Sequence, residues 1–163
     1  MKTRAVIALG ANLGDKEKTI SKAQKQIGKI RGVELVANSK KYRSEALTEH
    51  GIDPNQPEYI NAVSLIDTTL SPKKLLSRLN EIENKFGRIR SAKWAARTLD
   101  LDIIIFGTSI VESKSLSIPH PRAHERAFVL IPWLEIDPEA VLTGVGPVSE
   151  VAKGMDSLVW VIP

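Results

Sequence analysis

The sequence predicts an α+β fold, a ferredoxin-like βαββαβ core followed by a C-terminal extension. Three observations lead there. Two stretches with helical spacing of apolar residues each carry a capping residue in front and a glycine behind. Short apolar runs flank them in the order strand, helix, strand, strand, helix, strand, which is the helix-covered antiparallel unit. The length, 163 residues, suits one domain spanning 1–163 with a sizeable core.

The run Arg4 to Leu9 is apolar, short and ended by Gly10, as expected of a buried strand. Asp15 is placed to cap a helix in which Ile20, Ala23, Ile27 and Ile30 recur at helical spacing, stopping near Gly32. Val33 to Arg43 reads as a strand, Thr48 to Pro57 as a polar connection and Tyr59 to Thr68 as a further strand. The second helix is the clearest element. Ser71 caps it, Pro72 fits its first turn, Gly87 ends it, and Leu75, Leu76, Leu79, Ile82 and Phe86 form its apolar stripe. Leu99 to Phe106 is a strand closed by Gly107. A short strand at Ser115 to Ile118 and a short helix at Ala127 to Leu134 follow, and from Thr143 onward local signals are weak.

Composition narrows the chemistry. The chain is 42% hydrophobic and 26% charged, has no cysteine and carries a net charge of +4. Thiol chemistry, disulfides and cysteine-ligated zinc are excluded, and a cytoplasmic protein is expected. No run approaches the ~20 apolar residues of a membrane helix. Neither a GxxxxGK[ST] loop nor a GxGxxG fingerprint occurs.

The most informative stretch is Arg97-Thr98-Leu99-Asp100-Leu101-Asp102-Ile103-Ile104-Ile105. Alternate residues of a strand share a face, so Asp100 and Asp102 point the same way, with Cα atoms ~6.6 Å apart. Leu99, Leu101, Ile103 and Ile105 take the other, core-facing side. Two carboxylates this close repel unless something positive lies between them. Mg²⁺ held jointly with phosphates fits, and so does the exposed face of an edge strand. The cations Lys85, Arg88, Arg90, Lys93 and Arg97, uninterrupted by any acid, fit a solvated basic loop, the commonest fate of a charge run, but leading straight into the paired aspartates they favour metal plus phosphate. Paired acids directly after them would repel a nucleic-acid backbone.

Glu83 falls within the apolar stripe of the second helix and needs a partner there, an arginine of the following loop or a ligand; snorkelling to water is the other reading. Tyr59 and Asn61 share a strand face and can offer a stacking surface beside an amide. Gly10-Ala11-Asn12-Leu13-Gly14 reads as a tight turn more readily than as a ligand-approaching backbone. His120 and His124 have the spacing of zinc ligands on a helix, but Pro119 and Pro121 break any helix there, so a phosphate or hydroxyl contact fits His120 better.

These residues resemble the 6-hydroxymethyl-7,8-dihydropterin pyrophosphokinase family of folate biosynthesis. The resemblance runs from Ala8-Leu9-Gly10-Ala11-Asn12-Leu13-Gly14-Asp15 to Phe128-Val129-Leu130-Ile131-Pro132. It is carried most specifically by Arg97-Thr98-Leu99-Asp100-Leu101-Asp102, Ile118-Pro119-His120-Pro121-Arg122 and Glu125-Arg126-Ala127-Phe128. It implies a ferredoxin-like monomer, a single pyrophosphokinase domain that moves the β,γ-pyrophosphoryl group of ATP onto the pterin hydroxymethyl and releases AMP. Asp100 and Asp102 match the ligands of two Mg²⁺ ions. Glu83, Arg88, Arg97, Ile103, His120 and Arg126 match ATP-handling positions. Arg88, Arg90, Trp94 and Arg97 match the catalytic loop and its phosphate contacts. Ser44, Glu45, Leu47, Tyr59, Asn61, Trp94 and Phe128 match the pterin pocket. The chain departs from the family at Tyr42-Arg43-Ser44-Glu45-Ala46-Leu47-Thr48 before the pterin strand, at Lys93-Trp94-Ala95-Ala96-Arg97 in the loop, at Asn80 and Ser115, where some members have a longer polar or basic ATP contact, and at Ala11, where a serine is common. A ferredoxin-like RNA-binding module is the competing reading, opposed by the lack of an aromatic-rich RNA-binding strand among only three Phe and two Tyr.

Overall fold

The computed structural model describes residues 1–48, 51–87 and 98–163, with the side chains of Leu47 and Thr48 outside the description. Strand β1 (Thr3–Ala11) leads into helix α1 (Lys16–Gly28), which Asp15 caps by accepting from the Lys18 amide at 3.2 Å. The expected strand over Val33 to Arg43 is divided into β2 (Val33–Asn38) and β3 (Tyr42–Ser44). At the break the Ser39 amide donates to the Val63 carbonyl while Ser39 Oγ accepts from the Val63 amide, so a side chain stands in for one ladder bond as the backbone turns. The polar connection holds a small hairpin of its own, β4 (Ala46–Thr48) with β5 (Gly51–Asp53).

Strand β6 (Tyr59–Thr68) has the predicted bounds and pairs antiparallel with β1 along its whole length. Helix α2 (Pro72–Lys85) starts at Ser71, whose hydroxyl accepts from the Lys74 amide, and Gly87 follows at φ +78°, the left-handed conformation that glycine adopts without a Cβ clash. Next come β7 (Asp100–Phe106), the hairpin β8 (Val111–Glu112) and β9 (Ser117–Ile118), and helix α3 (Ala127–Ile136). The weakly signalled tail forms β10 (Val141–Leu142) and β11 (Gly146–Pro147), a short helix α4 (Val148–Val151) and β12 (Trp160–Val161). Among the described residues no helix is long and apolar enough to cross a membrane.

The main sheet runs β12-β3-β6-β1-β7, with β2 also pairing along β6, and every pairing is antiparallel. The architecture is α+β with two cores, one on each face of the sheet. Ile20, Ala23 and Ile27 of α1 and Leu75, Leu79 and Ile82 of α2 cover Ile7, Leu9, Ala62, Leu101 and Ile103 on one face. Val129, Leu130 and Trp133 of α3 cover Val6, Ala8, Val63, Leu65 and Ile104 on the other. Ile105 departs from the expected alternation. The register of β1 against β7 shifts between Val6 and Ile7, and this irregularity sends Ile105 into the α3-side core, away from Leu101 and Ile103.

Candidate functional site

Antiparallel register gathers the candidate residues into one row. Tyr42 lies opposite Asn61, Asn61 opposite Gly10, and Gly10 opposite Asp100, across β3, β6, β1 and β7. Asp102 sits two residues on, opposite Ala8. Asn61, Gly10, Asp100 and Asp102 therefore share the α3-facing side of the sheet, at the end that α3 leaves uncovered by apolar side chains. Both aspartates are half-buried. The predicted alternation holds, with Leu99, Leu101 and Ile103 turned into the α1–α2 core. Ile103 is therefore on the opposite face from the aspartates; any ligand contact it makes falls to its backbone.

Strand β7 ends the sheet order, so its outward amides and carbonyls need partners other than a neighbouring strand. Glu83 supplies one. It is 1% exposed, and its Oε2 accepts from the Leu101 amide at 2.8 Å, tying α2 to the strand between the two aspartates. Its buried carboxylate thus has a backbone partner. His120 supplies another: its amide donates to the Ile104 carbonyl at 2.9 Å, holding the Ile118–Arg122 segment against the same edge. His120 Nδ1 accepts from the Arg122 amide at 3.2 Å.

Arg126 opens α3 and is half-buried, with its guanidinium 5.6 Å from the Phe128 ring. Burial lowers its affinity for the proton, and the charges of Asp102 and Asp100 oppose that effect. Burial also pushes the His120 imidazole down to about 4, assisted by Arg126 and Arg122 and opposed by Asp100, so His120 is neutral at neutral pH. Arg126 Nε is buried without a hydrogen-bond partner among the described residues. A buried cationic donor left this way is costly unless an anion completes it. The site therefore sets two carboxylates against an arginine with donor capacity to spare. That suits a phosphate chain with a hard cation between it and the acids. No group of three His, Cys, Asp or Glu able to hold a metal occurs among the described residues.

On the other side of Gly10, Asn61 and Ser44 are buried and bonded to each other, Tyr59 and Phe128 are half-buried, and Glu45 is exposed. Leu47 lies in β4, outside the described side chains. Arg88, Arg90, Trp94 and Arg97 lie outside the described residues. His124 is exposed and faces Glu125 at 3.6 Å rather than forming a pair with His120. Two contributors escaped sequence reasoning. Gly10, read as part of a turn, lies inside β1 as the floor between Asn61 and Asp100. Tyr42 holds Asn61 through its main-chain carbonyl, which long-range register alone could reveal.

A family model described as 7,8-dihydro-6-hydroxymethylpterin-pyrophosphokinase (HPPK) matches residues 6–138. The chain belongs to this family. Among the relatives of this pyrophosphokinase, the 2-amino-4-hydroxy-6-hydroxymethyldihydropteridine pyrophosphokinase of Haemophilus influenzae is 42% identical over 149 residues, covering 91% of each chain. That of Bacillus subtilis is 38% identical over 136 residues, covering 83% of this chain and 79% of its own. The HPPK-DHPS of Plasmodium falciparum, solved with pteroate, superposes with a TM-score of 0.72 at 13% identity, over 96% of this chain and 43% of that one. At that identity the likeness is one of fold, and the present chain spans less than half the length of that protein. The family assignment makes the chain an enzyme, a pyrophosphokinase of folate biosynthesis, and lends no support to the RNA-binding alternative.

Proposed function

We propose that this pyrophosphokinase moves the β,γ-pyrophosphoryl group of ATP onto the hydroxymethyl oxygen of 6-hydroxymethyl-7,8-dihydropterin, leaving AMP. The observation that carries the reading is the row Asn61–Gly10–Asp100, which joins an amide-lined slot to a paired-carboxylate, arginine-bearing one on a single sheet face. The pterin lies in the first, between Tyr59 and Phe128, with Asn61 reading its edge and Ser44, Glu45, Leu47 and Trp94 around it. The triphosphate lies in the second. There Arg126, with Arg88 and Arg97, neutralises phosphate oxygens, and the neutral His120 imidazole offers a hydrogen bond without adding charge. Glu83 and the Ile103 backbone order the nucleotide side.

Asp100 and Asp102 would hold two Mg²⁺ ions, and the fit rests on two hard oxygen donors near Arg126, whose buried Nε has no hydrogen-bond partner among the described residues. When bound, the ions withdraw charge from the transferring group and orient it. The chain's own residues do the rest. They align the hydroxymethyl oxygen with the β-phosphorus; a bond forms between the two as the bond from that phosphorus to the α,β-bridging oxygen breaks, AMP leaves with that oxygen, and the hydroxyl proton is lost to solvent. Arg90 and Trp94, in the family's catalytic loop, help to hold the reactants away from competing water.

The order β7-β1-β6-β2, with α1 and α2 as the two crossovers, supports a ferredoxin-like core carrying the C-terminal extension as part of one domain, 1–163. A cytoplasmic monomer acting without nucleic acid or membrane completes the reading. The test is a product assay with ATP, Mg²⁺ and the reduced pterin. AMP formation that depends on the pterin is expected. ADP as the nucleotide product, or no pterin-dependent AMP, refutes the proposal.

A further inference from the structure

The Asn61 amide is committed on one side by the fold itself. Its Nδ2 lies 2.8 Å from Ser44 Oγ and 3.3 Å from the Tyr42 carbonyl oxygen. A main-chain carbonyl only accepts, so the amide nitrogen must be the atom turned toward β3. The NH2 group has two hydrogens, and these two acceptors take both. What remains for a ligand is Oδ1, an acceptor alone. Asn61 is 3% exposed and Ser44 4%, which keeps water from competing for their bond. Oδ1 is turned toward Gly10. A Cβ built on that glycine would stand 3.5 Å from Oδ1 and 3.6 Å from Tyr59 Cδ1, so glycine leaves the sheet between Asn61 and Asp100 clear of side chain. With strands ~4.8 Å apart, the Cα atoms of Asn61 and Asp100 stand about 10 Å from each other across Gly10.

We propose that Ser44 is a positioning residue that secures the Asn61 amide in the orientation the Tyr42 carbonyl sets, oxygen toward the substrate, so that the pocket selects planar heterocycles presenting an N–H donor there. The proposal rests on the reading of Tyr59, Asn61 and Phe128 as the pterin pocket. Turning the amide over would bring Oδ1 against the Tyr42 carbonyl oxygen, setting two acceptors face to face and losing a bond. A pterin ring N–H satisfies Oδ1, whereas a ring nitrogen lone pair at the same point meets another lone pair. Without the Ser44 hydroxyl, one acceptor at the longer distance is all that holds the amide, so the group keeps its preferred sense but is held less firmly at the position the ligand needs. The serine thus shapes recognition through Asn61, without touching the ligand by its side chain.

The test compares wild type, Ser44→Ala and Ser44→Thr in pterin-dependent AMP formation at saturating ATP. Ser44→Ala is expected to raise the KM for the pterin about tenfold, the equivalent of one neutral hydrogen bond. Its kcat and its KM for ATP are expected to stay within about twofold, the pattern of lost uniform binding. Ser44→Thr keeps the hydroxyl and should restore the pterin KM. In ligand-free protein, NMR should show the Asn61 side-chain amide protons exchanging slowly in wild type and Ser44→Thr, and fast in Ser44→Ala. An unchanged pterin KM in Ser44→Ala, or amide exchange indifferent to the substitution, overturns the positioning role. A wild-type protein making no pterin-dependent AMP overturns instead the functional reading beneath it, while the NMR comparison still reports whether Ser44 holds the amide.

Discussion

Asp100 and Asp102 show what a residue pattern carries by itself. Strand alternation sets two carboxylates on one face, and their mutual repulsion demands a positive partner. The fold adds what spacing could not supply: an Arg126 guanidinium whose buried Nε has no partner among the described residues, and a neutral His120, both brought to the aspartates from a later segment of the chain. Asp100→Ala and Asp102→Ala are each expected to lower kcat by about 10³-fold or more, since the proposed function makes each a metal ligand at the point of charge transfer. Both variants should still fold, because removing one of two neighbouring like charges relieves repulsion. Turnover rates and thermal unfolding of the two variants check this together; near-normal turnover in both contradicts the metal assignment. Other residues were not legible in this way. Ile105 followed a register shift that no local pattern encodes, and Tyr42 acts through a carbonyl whose partner lies nineteen residues on in the chain.

At the scale of elements, those with local chemistry at their ends were legible and those defined by distant pairing were not. Helix α2 has its serine cap, its first-turn proline and its terminal glycine where the sequence predicts them, and β6 has the bounds its apolar run implies. By contrast, the break between β2 and β3 depends on Ser39 finding Val63, and β12 exists because Trp160 and Val161 return to pair with β3. Glu83 lies between these cases. Its place in the apolar stripe marked it as needing a partner, and one partner is the edge amide of Leu101. Glu83→Ala, which leaves that amide buried and unsatisfied, is expected to cost about 2 kcal/mol of stability. Glu83→Gln keeps an acceptor oxygen and should cost less than about 1 kcal/mol. Urea unfolding of the two variants separates them; equal losses would mean that the bond to Leu101 does not link α2 to β7 as described.

For the molecule as a whole, the sheet is the device that assembles the proposed two-substrate site. Its antiparallel strands β6, β1 and β7 bring Asn61, Gly10 and Asp100 into one row, and its two faces divide the work. One is filled by α1 and α2, while the other is closed by α3 only as far as the site. The α+β class and the order of the core elements were legible because helix and strand periods alternate cleanly there. The tail was not, because β10, β11 and β12 are two-residue strands whose stability comes from their partners. The central claim is that a pyrophosphoryl group, not a single phosphoryl group, crosses from the nucleotide slot to the amide-lined one. The most direct measurement uses ATP radiolabelled at its β-phosphorus, with Mg²⁺ and the reduced pterin, and follows the label. The account predicts that label moves to the pterin product while unlabelled AMP accumulates; label retained in the nucleotide, as ADP, contradicts it.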